Sequence, residues 1–131
     1  MKYKDTEKNI IEFTVKETEG RTEYDTGAVR SDKIGKPKLS LLPWELFPRQ
    51  AFHLEKGANI YGANNYKKGM KSSDYLDSAL RHTQQYMLGM KDEDHASAVV
   101  FNWNGIMFNE MYYGDNPEIH DLPKSLEWGV R

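Results

Sequence analysis

The chain has no cysteine. That excludes disulfide cross-links, thiolate catalysis and any cysteine-based zinc site, and it leaves the redox compartment open. Long apolar runs are missing too. Nothing approaches the roughly 20 residues that a membrane-spanning helix needs, and residues 1–8 are too charged for the apolar core of a signal peptide. No sign of charge dominates: the formal net charge is −2, whereas a general nucleic-acid binder carries a strong basic excess. The familiar catalytic signatures Gly-x-Ser-x-Gly and His-Glu-x-x-His are absent. Gly35-Lys36 does not make a phosphate loop, because Pro37 follows and the upstream glycine spacing is wrong. A soluble, cytoplasmic protein is the default expectation.

What is present is enough for one folded domain with a real core: 131 residues, 38% of them hydrophobic and 29% charged. The chain divides into an arm at 1–26, a helical core at 27–112 and a tail at 113–131. In the arm, the strand-like run 10–15 and a return over 22–26, with a turn at 19–21, read as a hairpin; a frayed arm is the alternative. Residues 27–40 have no period and read as a loop. Their cations include Arg30, Lys36 and Lys38, which suit phosphate through charge-assisted hydrogen bonds, although a solvated basic loop has the same composition.

Three helices follow. The first falls within 41–62, with Pro48 near its start, a stripe of Phe47, Ala51, Leu54, Ala58 and Tyr61, and Gly62 as the stop. A polar loop at 62–73 carries Asn65 and Lys68. The second helix covers 73–89, capped by Ser73 or Ser72, with a core stripe of Leu76, Ala79, Leu80, Thr83 and Met87. Arg81 and His82 sit on its flanks, and a lone helix histidine is commonly a hydrogen-bonded structural residue. The third helix opens at the acidic mouth Asp92-Glu93-Asp94-His95 and runs to Tyr112 or Tyr113. Its apolar positions 96, 99, 103 and 106, with 100 and 107 beside them, follow a helical period. Asp92 or Asp94 would cap it. His95 and Asn102 are seven apart, so they share a face two turns apart. The fold class is therefore all-α: a small core of three main helices with an irregular or hairpin N-terminal arm. Three helices of this size bury little alone, and a homo-oligomer, dimer or tetramer, is the simplest way to complete the core.

The chemistry on offer is carboxylate plus histidine. Hard oxygen ligands favour magnesium or manganese, with phosphate as partner. An HD-type phosphohydrolase needs histidine before aspartate, and here the order is Asp94-His95.

Several pieces in order carry a resemblance: Thr26-Gly27-Ala28-Val29-Arg30-Ser31-Asp32, Gly35-Lys36-Pro37, Leu41-Leu42-Pro43, Gly57-Ala58 with Tyr61-Gly62 and Asn65-Tyr66, Arg81-His82, and Glu93-Asp94-His95 with Asn102. Over about residues 26–110 the chain resembles the phage-encoded dATP/dGTP diphosphohydrolase family, related to the MazG-like all-α nucleotide pyrophosphatases. The resemblance implies cleavage of a deoxynucleoside triphosphate, with purine preference, to a monophosphate and pyrophosphate, a Mg2+ or Mn2+ requirement, and a place in phage nucleotide-pool control. The Glu-x-x-Glu and Glu-x-x-Asp helices usual in MazG-like enzymes are not present, so no ligand set is carried over from them. On this reading Glu45, Glu93 and Asp94 hold metal, and His95 ligates it or orients water. Asn102 hydrogen-bonds the sugar, the base or water, and His82 orients a carboxylate. Arg30, Lys36 and Lys38 neutralise the triphosphate, with Asn65, Lys68 and Arg81 as further phosphate contacts. The alternative is a non-catalytic nucleotide-binding or oligomeric interaction protein on the same scaffold.

Overall fold

A computed structural model describes residues 19–124. They fall into two compact units that meet in sequence between Leu42 and Pro43. The first holds a two-stranded antiparallel hairpin, β1 (Arg21–Glu23) and β2 (Val29–Ser31), with Thr22 opposite Arg30. Its turn closes through the Gly27 N–H to the Tyr24 carbonyl at 2.8 Å and the Tyr24 N–H to the Ala28 carbonyl at 3.0 Å. Gly27 sits at φ +86°, where a residue without Cβ is unstrained. Among the described residues, β1 overlaps the start of the expected return at 22–26 and pairs with 29–31, so the stretch expected to be all loop contains a strand. Asp25-Thr26-Gly27 supplies hairpin turn chemistry between two strand-forming segments. The run 10–15 lies outside the described residues.

The second unit contains three helices, α1 (Phe47–Tyr61), α2 (Ser72–Met87) and α3 (His95–Tyr113), with a short 3-10 turn at Asn65–Lys68 between the first two. The mostly helical class and the three helices agree with the sequence reading. Pro48 lies in the first turn of α1, where its missing N–H costs nothing. Gly62 ends that helix at φ +86°, its N–H bonded to the Ala58 carbonyl at 2.9 Å.

The expected core stripes are rotated. On α2 the buried face is Ser72, Tyr75 and Ala79, while Leu80 and Met87 are exposed. On α1 nothing is fully buried, and Leu54 and Tyr61 face out. On α3 the buried side is His95, Ala98, Asn102, Gly105, Ile106 and Asn109. The reason is close approach. Ala79, Ala98 and Gly105 have little side chain, so α2 lies tightly on α3 and the Tyr75 ring fills the seam over Gly105. Tyr75 is 3% exposed and its hydroxyl has no hydrogen-bond partner among the described residues. Burial, then the neighbouring Tyr66, pushes its ionisation up to about 12.

At about 100° per residue, Val100, Trp103, Met107 and Met111 stand on the opposite side of α3. They are 39%, 48%, 54% and 38% exposed. Glu110 is the one acid or base of the Lys, Arg, Asp, Glu set among the residues of α3. A helix apolar on the outside as well as buried on the inside is a helix built to be covered twice.

The tail docks through polar groups. Ser72 N–H donates to the Ile119 carbonyl at 2.9 Å, and Ser73 N–H to Asp121 Oδ1 at 2.8 Å. Ser72 Oγ pairs with His120 Nδ1 at 2.8 Å, and Asn109 Nδ2 donates to the Met70 carbonyl at 2.6 Å and to Ser72 Oγ at 3.1 Å. The cap of α2 is therefore Asp121, not the side chain of Ser72 or Ser73.

A Cβ added at Gly105 would lie 2.5 Å from the Tyr75 ring. Overpacking costs about 1–3 kcal/mol, and the better helix propensity of alanine returns about 1. Gly105→Ala is therefore expected to lower the urea midpoint at unchanged m-value. An unchanged midpoint would show that the seam yields.

Candidate metal and phosphate site

The site is built at the start of α3. Asp94 is the N-cap: its Oδ1 accepts from the Ser97 N–H at 3.2 Å and its Oδ2 from the Ser97 hydroxyl at 2.9 Å. Arg49, one turn into α1, closes on the same carboxylate with two bonds, Nε to Oδ2 at 2.7 Å and Nη2 to Oδ1 at 2.8 Å. The Arg49 guanidinium, helped by the Ser97 donors, holds the Asp94 carboxyl well below the usual carboxylate range. One acid thus caps a helix and ties it to another.

That anchor fixes the residues on either side of it. His95 is 2% exposed. Its Nε2 lies 2.9 Å from Asp92 Oδ1 and its Nδ1 lies 2.9 Å from His82 Nδ1, across the seam on α2. The His95 hydrogen bond lowers the Asp92 carboxyl. Glu93, exposed, brings one carboxylate oxygen to the same place: ligand atoms of His82, Glu93 and His95 all lie within 4.8 Å of one another. No other group of three such donors occurs among the described residues. His53 on α1 stands near, its ring 5.5 Å from Phe101, and burial and then the neighbouring His82 push it toward the neutral form. Two imidazoles and a carboxylate are a donor set for a divalent ion with room for nitrogen, so manganese fits it and magnesium fits it poorly.

The family model for dATP/dGTP diphosphohydrolase, N-terminal, matches residues 26–117. The chain belongs to this family. No curated protein and no solved structure matches it.

Within this dATP/dGTP diphosphohydrolase family member, the residues singled out from sequence fall in several places. The structure brings His82, Glu93 and His95 together. Asp94 stands beside them but has both oxygens engaged by Arg49 and Ser97. Glu45 lies in the 3-10 turn Trp44–Leu46 and is not part of the cluster. Asn102 shares the buried face with His95, as its spacing requires, but its Nδ2 donates to the Ala98 carbonyl of its own helix at 2.7 Å. Arg81 is exposed and lines a surface hollow with Asp77, Leu80 and Gln84. Asn65 and Lys68 belong to the 3-10 turn before α2. Arg30, Lys36 and Lys38 are exposed in the hairpin unit.

Sequence reasoning missed Arg49, His53 and the role of Asp92. The Asp92–His95 spacing of three was a readable signal. Arg49 reaches Asp94 across 45 positions, and no local pattern announces such a pair.

Asp94→Ala removes the cap and is expected to cost about 1 kcal/mol, measured by chemical denaturation. The pH dependence has a definite sign. A carboxyl depressed in the folded state binds fewer protons there than in the unfolded chain, whose carboxyl titrates near about 3.9. The Asp94 contribution is therefore complete above that value and falls away as pH drops below it. Wild type should lose more stability than Asp94→Asn on acidification from pH 5 to 2 (an estimated window from the same reference value); parallel curves would remove the assignment.

Proposed function

We propose that the protein hydrolyses deoxynucleoside triphosphates, purine ones preferred, to the monophosphate and pyrophosphate. The observation that carries this is the family match over residues 26–117, a stretch that contains all three helices and the whole His82–Glu93–His95 cluster. Water supplies one oxygen, the P–O bond between the α and β phosphates breaks, and the released proton goes to solvent.

The residues divide the work by chemistry. His82, Glu93 and His95 would hold the divalent ion, with Asp92 behind His95. Such an ion, when bound, polarises phosphoryl oxygens and makes water a better nucleophile at neutral pH. Asp92 accepts the hydrogen bond from His95 Nε2–H and so leaves Nδ1 with its lone pair toward the cluster. The Arg49–Asp94 clamp keeps the backbone of residues 92–95 in one geometry, which is the preorganisation that phosphoryl chemistry relies on. Lys68 and Arg81 are the cations that the helical unit offers to the triphosphate. Nucleotide-pool control during phage infection is the setting that the family resemblance suggests.

A homo-oligomer belongs to the same reading. The outward stripe Val100, Trp103, Met107 and Met111 bears no charge and follows one helix face. A patch of that kind suits its own copy about a two-fold axis, which needs self-complementarity and nothing else. A second copy of the chain is its proposed occupant.

Two measurements test these statements. Incubated with a panel of triphosphates and Mn2+, wild type should release pyrophosphate from dATP or dGTP, and Glu93→Ala should reduce turnover at least about tenfold, because losing even an outer partner of a metal ligand costs about 10–100-fold. No pyrophosphate from any triphosphate would overturn the activity. In sedimentation, wild type should run as a dimer or larger and Trp103→Glu as a monomer; a monomeric wild type would overturn the oligomer.

A further inference from the structure

We infer that His82, Glu93 and His95 form a centre selective for a first-row transition-metal dication over magnesium, with Asp92 as the carboxylate that sets the tautomer of His95. What the ion is used for rests on the proposed diphosphohydrolase reading; its binding is read without turnover.

Proton accounting leads there. A neutral imidazole has one N–H donor and one lone pair. His95 Nε2 faces the Asp92 carboxylate at 2.9 Å, which accepts only, so the proton sits on Nε2 and the lone pair on Nδ1. That nitrogen lies 2.9 Å from His82 Nδ1. Two ring nitrogens at this distance require something between them that both can bind: a proton or a cation. Two ligands at right angles on metal–nitrogen bonds of about 2.0–2.1 Å stand about 3 Å apart, so the pair is already spaced as neighbouring positions on one ion. A carboxylate holding the far nitrogen of a ligating histidine is the usual outer support of a protein metal site.

The donor set decides the class of ion. Magnesium takes oxygen and gives up water reluctantly. Here the cluster brings two nitrogens and a single carboxylate group. Asp92 has one oxygen on His95, and Asp94 has both on Arg49 and Ser97. Imidazole suits manganese's heavier neighbours, iron, cobalt, nickel and zinc, with manganese accepting a mixed set. Three protein ligands also leave positions open for water or a phosphate oxygen, as sites that act on a substrate do.

Placement supports a built site over a chance meeting of side chains. Glu93 and His95 flank the N-cap residue of α3, whose carboxylate is held by Arg49 and Ser97. His82 comes from the middle of α2, the helix packed on α3.

The test uses the full chain stripped of metal by chelation and titrated with Co2+, which reports ligation through its visible absorption. We expect one Co2+ per chain, displaced by Zn2+ and not by a hundredfold excess of Mg2+. Glu93→Gln and His82→Gln, neither on a fully buried residue, should each weaken Co2+ binding at least tenfold with unchanged circular dichroism. Asp92→Asn should weaken it by about 10–100-fold, the range for outer carboxylates. No Co2+ signal from wild type, equal competition by Mg2+, or wild-type affinity in both Gln variants would each overturn the inference. Co2+ binding without pyrophosphate release would uphold it and overturn the diphosphohydrolase reading. Pyrophosphate release sustained by Mg2+ with no Co2+ bound would do the reverse.

Discussion

The second unit depends on the way one carboxylate is shared. Asp94 satisfies the first turn of α3 through Ser97 and at the same time receives the two-pronged Arg49 from α1. Planar guanidinium-to-carboxylate pairing fixes orientation as well as distance. Because α1 buries no residue completely, this bridge and the ring contact of His53 with Phe101 carry much of what positions it. The cluster residues sit directly beside the bridge, so the geometry of the site and the docking of α1 are one problem.

The second constraint is the seam between α2 and α3. Helices usually meet through branched aliphatic side chains. Around the Tyr75 ring the meeting surface is small or polar: Ala79, Ala98 and Gly105 for approach, and Ser72, Asn102 and Asn109 as buried hydrogen-bonding groups, with His120 of the tail on Ser72. Buried polar groups cost free energy unless partnered, and most of these have partners: Asn109 reaches Met70 and Ser72, Ser72 reaches His120, Asn102 reaches Ala98. Such a network specifies one register of α2 on α3, since sliding by a turn would orphan several groups together. The register matters because His82 and His95 meet across it.

The sequence made the three helices and their ends readable. Pro48, Gly62 and the acids before His95 are local signals with local causes, and each falls where the structure ends or begins a helix. The faces were not readable, because Leu80, Met87, Trp103 and Met107 point outward while alanine, glycine and asparagine line the seam around Tyr75. Apolar periodicity reports which side of a helix is greasy, not which side is covered first. At the site, Glu93 and His95 were legible as neighbours at the mouth of α3, and His82 entered only through the family resemblance that includes Arg81-His82. Asp94 was expected to ligate metal, but its two oxygens are taken up by partners, one of them 45 residues away, which no window of sequence displays.

The tail contacts bear on where this fold may be cut. The family match ends at residue 117, yet the backbone N–H groups at the head of α2 are satisfied by the Ile119 carbonyl and the Asp121 carboxylate. The helix that supplies His82 is thus finished by residues beyond the matched stretch. A boundary drawn by similarity alone would remove its cap, and the smallest self-sufficient piece of this chain reaches at least to Asp121.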